Sequence, residues 1–328
     1  MTNLPSDGVT PGKMLVVAGP TAVGKSSFGL EVARRFGGEI VSADSRQVFT
    51  GLDIGTAKAS IAEQRAIPHH LVDIIEPDED FGLAPFLDLV GDVVAGIQSR
   101  NKLPVVVGGS SQYVFALIEG WSPPRVPPNA ELRAALELRV QADGPDALHA
   151  ELAAADPEAA AKIDPRNVRR VIRALEVRQS EVSQSEKRQA ATTEREATVA
   201  PRYTGALNKD TLAIGLTLPR KLLYERIDQR VDQMIEAGWL NEVEGLSQRG
   251  YGPELTAMSS IGYQELTEHL SGNLDLADAV QRIKNRTHKF ARGQYVWLRR
   301  AKWLEWFEAD EPGLASAIDR VGEWVAIP

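Results

Sequence analysis

One segment near the beginning of the chain has the composition of a phosphate-binding loop. Residues 19–26 fit the pattern G-x-x-x-x-G-K-[ST], with a short apolar run before them and a helical pattern after them. Glycines allow successive backbone N–H groups to turn toward an anion, and a helix N-terminus adds partial positive charge. Lys25 can reach a terminal phosphate oxygen, and the Ser26 hydroxyl can ligate Mg²⁺. The motif therefore predicts binding of a di- or triphosphate and leaves the reaction open. The predicted loop consists of Gly19, Pro20, Thr21, Ala22, Val23, Gly24, Lys25 and Ser26.

A second candidate group follows the next predicted strand. Asp44 lies in the polar segment 42–47, directly after the strand-like residues 39–41. In a parallel sheet, ligands bind outside the carboxyl ends of the strands, so we expect Asp44 close to the phosphate-binding loop. A carboxylate there could hold Mg²⁺ or act as a general base. The alternative is that Asp44 only caps a turn.

Short apolar runs alternate with helical patterns around these two segments. Strands are predicted at 14–18, 39–42, 71–75 and 104–107, and helices at 27–36 and 86–98. Strands that alternate with helices are typical of a parallel sheet covered on both faces. The sequence therefore predicts an α/β protein with a doubly wound parallel sheet of the P-loop NTPase type.

The composition changes after Gly120. Residues 121–128 contain four prolines and predict a linker, and residues 130–155 are rich in Ala, Leu and Glu and predict helices. The polar stretch 178–203 predicts a segment without stable structure, and strand-like alternation returns at 211–218. We therefore expect an α/β core with a helical insert. The predicted limits are a flexible tail at 1–13, the core at 14–120 and 206–310, the insert at 121–205 and a C-terminal tail at 311–328.

Composition excludes several classes of protein. The 328 residues suggest about two domains. The absence of cysteine excludes disulfide scaffolds, thiolate metal sites and cysteine nucleophiles. The net charge of −8 argues against a surface that is basic overall, although it allows local basic patches. Residues 1–13 lack a signal pattern, and no apolar run approaches the roughly 18 residues of a membrane span. We therefore expect a cytoplasmic, monomeric protein without membrane association.

Taken together, these segments resemble the tRNA dimethylallyltransferases, also called tRNA isopentenyltransferases. The resemblance covers about residues 15–303 and rests on the segments 19–26, 42–47, 51–58, 69–74, 105–110, 163–177 and 261–265. It implies transfer of a dimethylallyl group from dimethylallyl diphosphate to N6 of adenosine 37 in the tRNA anticodon loop, with release of diphosphate.

The resemblance also implies roles for residues around the leaving group. In this family the phosphate-binding loop holds the diphosphate of the donor, and Lys25, Mg²⁺ and loop N–H groups stabilise its developing charge. Ser26 is the expected magnesium ligand. Ser110 matches the threonine of a Gly-Gly-Thr motif that contributes a hydroxyl to the diphosphate. Arg226 matches an arginine that faces the diphosphate, and Arg230 lies one helical turn away on the same predicted face.

Asp44 matches the general base of the family. The adenine amine is a poor nucleophile because its lone pair is delocalised into the ring, so a carboxylate must take its proton as the new bond forms. The segment containing Asp44, Ser45, Arg46 and Gln47 matches one that meets the RNA. The amide of Gln47 could read the adenine edge.

Local charge patterns predict an RNA-binding surface despite the acidic total. Residues 166–173 include four arginines on one predicted helix, and residues 282–302 include eight basic residues and no acidic one. The expected tRNA contacts beyond 44–47 are Arg133, which matches a family position, and Arg169, Arg170, Arg173 and Arg286. The insert resembles a helical domain that closes over the anticodon arm. The chain departs from the family pattern at Phe49, Ser110, His288 and Gly293.

Three other functions remain open at this point. A small-molecule kinase using ATP shares the phosphate-binding loop but leaves the basic segment 282–302 unexplained. A prenyltransferase acting on free adenine nucleotides shares the chemistry but needs no arginine-rich surface. An RNA-binding protein with a nucleotide switch would not require both Lys25 and Asp44.

Overall fold

The computed structural model describes residues 12–190 and 210–327, with backbone alone at 181–190. The chain divides into two compact units. The first, which we call the core unit, consists of Met1–Ser122 and Pro201–Pro328. The second, which we call the insert, consists of Pro123–Ala200. Most of the predicted tail at 1–13 and the segment 191–209 lie outside the described residues.

A six-stranded sheet forms the centre of the core unit. Its strands are β1 (Met14–Ala18), β2 (Gly38–Ser42), β3 (His69–His70), β4 (Leu103–Gly108), β5 (Thr211–Thr217) and β6 (Glu305–Glu308). The spatial order is β3-β2-β4-β1-β5-β6, and every neighbouring pair is parallel. All residues of β1 and β4 are buried, which explains their continuous apolar sequences. The predicted doubly wound parallel sheet is confirmed.

Helices cover both faces of this sheet. The helices of the core unit are α1 (Lys25–Phe36), α2 (Ile61–Ala66), α3 (Leu83–Ser99), α4 (Ser111–Glu119), α9 (Arg220–Glu236), α10 (Trp239–Gln248), α11 (Tyr263–Leu270), α12 (Leu276–Leu298) and α13 (Glu311–Ala326). The insert has helices of its own, which are α5 (Ala130–Asp143), α6 (Pro145–Ala155), α7 (Pro157–Ala160) and α8 (Val168–Ala190). Leu15 and Val17 face the apolar layer under α1, α9 and α13. Val16 and Ala18 face the opposite layer, under α3 and α4.

A third apolar cluster fixes the chain that follows β2. Val48, Phe49 and Leu52 are buried against side chains of α9, α10, α11 and α12. Phe49 is 1% exposed, so the phenylalanine that departs from the family pattern is a core residue. This cluster holds the segment after β2 beside the helices that approach the phosphate-binding loop.

The prediction of a tail at 311–328 requires correction. Residues 311–326 form α13, and Ala317, Val321 and Trp324 on it are buried in the core. Lys13 is also buried, and its ammonium donates hydrogen bonds to the carbonyl oxygens of Trp324 at 2.8 Å and Val325 at 3.1 Å. The last helical carbonyls lack intrahelical partners, and a cation there stabilises the helix end. The C-terminal segment is therefore part of the fold.

The predicted strand at 71–75 is also wrong. The strand β3 comprises only His69–His70. Leu71 and Asp73 adopt positive φ angles of 60° and 52°, which are incompatible with an extended strand. The chain returns to a single bridge between Ile75 and Phe49. Residues 71–75 therefore form a turn beside the segment after β2.

The four helices of the insert have a small apolar core of their own. Its buried residues are Leu136, Leu148, Leu152, Ala160, Val171, Ile172 and Leu175. The last helix, α8, continues to Ala190, so residues 178–190 of the stretch predicted to lack structure are helical. Within the described ranges 12–190 and 210–327, no helix combines the length and apolar composition needed to cross a bilayer.

Candidate active site

The phosphate-binding loop connects β1 to α1. Gly24 caps the helix with a φ of 106°, a left-handed conformation that favours glycine. A Cβ atom on Gly19 would lie 2.7 Å from the carbonyl oxygen of Leu216 in β5, so only glycine allows this close approach. Because α1 begins at Lys25, the N–H groups of Lys25 and Ser26 have no intrahelical acceptor. The loop thus has the geometry of an anion site.

A cavity of about 590 Å³ lies beside this loop. Its polar lining comes from the phosphate-binding loop, the segment after β2, the end of β4, α9 and α12, and includes Thr21, Lys25, Ser26, Asp44, Ser45, Arg46, Gln47, Gly109, Ser110, Arg230 and Gln294. The expectation that Asp44 lies close to the phosphate-binding loop agrees with this arrangement. The volume is in the range of pockets that hold small organic ligands.

Lys25 is a strongly perturbed cation in the cavity. Its ammonium donates a hydrogen bond to the carbonyl oxygen of Pro20 at 2.7 Å. Burial among protein atoms and, to a smaller extent, the positive charge of Arg230 lower the pKa of Lys25 to about 7, although the carboxylate of Asp44 acts in the opposite direction. Two cations therefore face one carboxylate, and an anionic ligand would relieve their repulsion.

The structure favours Arg230 over Arg226 as the cavity arginine. Arg230 lines the cavity, and burial lowers its pKa while Asp44 opposes the shift. Its guanidinium has no hydrogen bond or ion pair within the described part of the chain. Arg226 is exposed and lies outside the cavity lining, with Nη1 3.5 Å from the carbonyl oxygen of Val23. The i, i+4 spacing predicted the pair, but it did not indicate which member enters the cavity.

Asp44 lies at the point where the segment after β2 turns. Its Oδ1 accepts a hydrogen bond from the N–H of Arg46 at 2.8 Å, which is an Asx-turn. The N–H of Ser45 donates to Oγ of Ser110 at 3.0 Å. Ser110 therefore fixes the backbone that carries Asp44, in addition to lining the cavity. In the described residues Oδ2 of Asp44 has no hydrogen-bond partner, so it is free to accept a proton.

The neighbouring side chains are engaged within the protein. The amide oxygen of Gln47 accepts from Oγ of Ser42 at 2.8 Å, and its Nε2 donates to the carbonyl oxygens of Thr56 at 3.1 Å and Ala57 at 3.3 Å. Arg46 donates from Nη1 to the carbonyl oxygen of Thr256 at 2.6 Å. Gln47 thus ties the segment 51–58 to β2, and its amide has no spare edge for an adenine.

Glu242 is a site residue that the sequence analysis missed. Its carboxylate accepts the N–H groups of Asp53, Ile54 and Gly55 at 2.9, 2.7 and 3.3 Å. It also accepts the hydroxyl of Tyr263 at 2.6 Å, whose pKa is raised by burial and by this carboxylate. Four donors on one carboxylate make a strong anchor for the segment 51–58. No local pattern indicates a bond between residues so far apart in sequence.

One wall of the cavity is apolar. Ile227, Val231 and Met234 of α9 line it together with Ile283 and Phe290 of α12. These side chains lie beside Arg230 and within the same cavity as Asp44. The arrangement offers a short hydrocarbon a place next to the anion site.

The predicted RNA-binding arginines fall into two groups. Arg133 binds the buried carboxylate of Glu176 through Nε and Nη2, each at 2.9 Å, and Arg173 pairs with the same carboxylate. Burial would raise the pKa of Glu176, but hydrogen bonds from Arg133, the N–H of Asn129 and Arg173 lower it to about 2.

Two arginines of the insert are free, whereas the expected arginine of α12 is paired. Arg286 pairs with the buried Glu265. Arg169 and Arg170 are exposed, and neither side chain has a partner within the described residues. Of the four arginines discussed for the insert, these two are therefore the best placed to meet a phosphate backbone.

The residues at the loop are compatible with Mg²⁺. Magnesium prefers oxygen ligands and usually takes several of them from phosphates and water. The described residues contain no cluster of three His, Asp or Glu side chains that could bind a metal alone. The exposed hydroxyl of Ser26 and the carboxylate of Asp44 line one cavity beside the loop N–H groups. This donor set suits an ion that arrives with a phosphate ligand.

The pKa of Lys25 leads to a pH-dependent prediction. Because raising the pH through about 7 removes the ammonium charge, affinity for inorganic pyrophosphate should fall above that pH by up to about tenfold per unit. Lys25→Arg keeps its charge throughout this range. The ionisation of pyrophosphate also changes with pH, but this change is the same for both proteins. Calorimetric titrations should therefore show that the affinity of the wild-type protein falls with rising pH relative to the affinity of the variant. Parallel curves for the two proteins would contradict the assignment.

Comparisons with known proteins identify the family of the chain. The IPP transferase family model matches residues 47–301. The tRNA dimethylallyltransferase of Thermomicrobium roseum is 46% identical over 300 residues, which cover 92% of this chain and 87% of that protein. The tRNA dimethylallyltransferase of Roseiflexus castenholzii is 46% identical over 309 residues, which cover 94% and 96%.

Two solved structures share the fold. The tRNA isopentenylpyrophosphate transferase of Bacillus halodurans is 35% identical with a TM-score of 0.68, covering 95% of this chain and 96% of that one. A eukaryotic dimethylallyltransferase acting on tRNA is 28% identical with a TM-score of 0.70, covering 92% and 75%. The chain belongs to the IPP transferase family, the family of the tRNA dimethylallyltransferases.

Proposed function

We propose that this protein transfers the dimethylallyl group of dimethylallyl diphosphate to N6 of adenosine 37 in the anticodon loop of tRNA, releasing diphosphate. The observation that carries the proposal is the single cavity that contains both Lys25 of the phosphate-binding loop and the carboxylate of Asp44. The names of the relatives support transfer to tRNA. They do not favour a kinase or an enzyme acting on free nucleotides.

The diphosphate of the donor binds at the N-terminus of α1. The N–H groups of Lys25 and Ser26, the ammonium of Lys25 and the guanidinium of Arg230 are its positive partners. Their charge stabilises the oxygen that leaves C1 of the dimethylallyl group. Mg²⁺ held by Ser26, with Asp44 beside it, would add positive charge at the diphosphate oxygens.

Asp44 is the base of the reaction. The N6 amine forms a bond to C1 as the bond between C1 and the diphosphate oxygen breaks, and the amine proton passes to the carboxylate of Asp44. Ser110 holds the N–H of Ser45 and thereby positions this carboxylate. The apolar wall from Ile227 to Met234 receives the five-carbon chain and keeps water from the carbon centre.

The RNA approaches basic side chains that have no partner among the described residues. Lys289 and Arg292 on α12 are exposed and unpaired in the part of the chain that the structure describes, and they flank Phe290 at the cavity. Arg169 and Arg170 offer the same chemistry on the insert. We propose that one chain is sufficient, because the loop, Asp44 and Arg230 all come from it. We propose a cytoplasmic location because the proposed substrate is tRNA.

The proposal is tested by identifying the product of the reaction. Purified protein is incubated with Mg²⁺, dimethylallyl diphosphate and unmodified tRNA carrying adenosine 37, and the digested nucleosides are analysed by mass spectrometry. Parallel reactions contain AMP, or ATP as the only donor. We expect N6-dimethylallyladenosine from tRNA alone. A prenylated AMP, or phosphate transfer from ATP without prenyl transfer, would refute the assignment.

The role of Asp44 is tested by Asp44→Asn. The amide retains an oxygen that accepts from the N–H of Arg46 but cannot take the amine proton. We expect the turnover number to fall by about 10²–10⁴-fold, the usual contribution of general base catalysis. The dissociation constant for tRNA, measured by filter binding, should change by less than about twofold because the contacts to the phosphate backbone, which supply much of the affinity, are unchanged. Near-normal turnover would exclude Asp44 as the base.

A further inference from the structure

Gln294 is a buried side chain that bridges the two loops at the end of the cavity. It lies on α12 and is 5% exposed. Its Oε1 accepts the N–H of Thr21 in the phosphate-binding loop at 2.9 Å. Its Nε2 donates to the carbonyl oxygen of Gly109, after β4, at 2.7 Å. Both ends of the amide are therefore satisfied, and its position is fixed.

The amide occupies space next to the ammonium of Lys25. A Cβ atom on Gly109 would lie 2.7 Å from Nε2 of Gln294 and 3.5 Å from Nζ of Lys25. The lysine of such a loop reaches the terminal phosphates of its ligand. The side chain of Gln294 therefore lies close to the ammonium that would hold the terminal phosphate.

The hydrogen bond to Gln294 also occupies one N–H donor of the phosphate-binding loop. The N–H of Thr21 would be available to a phosphate oxygen, but it already has a protein acceptor. A third phosphate would have to displace a neutral amide that is bonded on both sides, and it would leave the carbonyl oxygen of Gly109 unpaired. Breaking buried hydrogen bonds of this kind is costly. The N–H groups of Lys25 and Ser26 remain for a diphosphate.

Electrostatic attraction alone would favour a triphosphate over a diphosphate. The cations Lys25 and Arg230 attract a triphosphate more strongly than a diphosphate because the triphosphate carries more negative charge. A preference for the less charged ligand therefore requires exclusion by shape and by lost hydrogen bonds.

We propose that Gln294 sets the number of phosphates that this site accepts, admitting two and excluding a third. The inference rests on the proposed transfer from a diphosphate ester and deepens it. The residue would keep ATP out of a loop whose sequence is otherwise suited to nucleoside triphosphates. Gln294 is thus a specificity-determining residue.

The test compares inorganic pyrophosphate with inorganic tripolyphosphate by calorimetry at fixed free Mg²⁺. The wild-type protein should bind pyrophosphate more tightly. Gln294→Ala should shift the ratio of the two dissociation constants toward tripolyphosphate by about tenfold or more, the size of one hydrogen bond to a charged group. Gln281→Ala removes an exposed glutamine from the same helix and should leave the ratio unchanged.

The ratio does not depend on the fraction of folded protein, because each variant is measured with both ligands. If Gln294→Ala does not fold, Gln294→Asn, which is one methylene shorter, serves the same purpose. The inference is overturned if wild-type protein binds tripolyphosphate at least as tightly as pyrophosphate, or if the variant keeps the wild-type ratio. Prenyl transfer by the wild-type protein is measured separately, so failure of the proposed function and failure of this inference give different results.

Discussion

The ammonium of Lys25, held where burial lowers its pKa to about 7, is the constraint on which the rest of the site depends. Its charge is disfavoured in the unliganded protein and becomes favourable when an anion binds. The glycine turn and the beginning of α1 place loop N–H groups at the same point. Arg230 adds a second positive charge, and Asp44 supplies a carboxylate that interacts with both cations. The cavity is therefore suited to an anionic group beside Lys25 and Arg230 and to a group that donates a proton beside Asp44.

Much of this arrangement follows from local sequence. The buried strands β1 and β4 were predicted because strands covered on both faces have continuous apolar sequences. Lys25 and Asp44 were expected together because the carboxyl ends of parallel strands meet at one edge, whereas Ser110 was expected there from the family resemblance. In contrast, Glu242 and Gln294 bind backbone groups of loops that are about two hundred residues or more away in sequence. Such bonds leave no periodicity and no motif, so only the fold reveals them.

The wrong predictions have physical reasons as well. The segment 311–328 was expected to be a tail, although Ala317, Val321 and Trp324 have the spacing of a buried helix face. The strand expected at 71–75 is replaced by a turn because Leu71 and Asp73 adopt left-handed backbone conformations, although Leu71 is buried in the apolar layer on the sheet. Charge patterning identified Arg173, and the family resemblance identified Arg133, but neither could show that these arginines pair with the buried Glu176. An arginine-rich helix has the same sequence signature whether its charges face RNA or a carboxylate.

The central claim is that one cavity holds the donor diphosphate at the phosphate-binding loop and turns its carbon toward Asp44. A crystal structure of the protein with Mg²⁺ and dimethylallyl thiodiphosphate, in which sulfur replaces the oxygen next to carbon, tests this most directly. The account predicts diphosphate oxygens on the N–H groups of Lys25 and Ser26, the dimethylallyl chain along the apolar wall of α9, and C1 facing Asp44. A diphosphate bound elsewhere, or a chain directed away from Asp44, would contradict it.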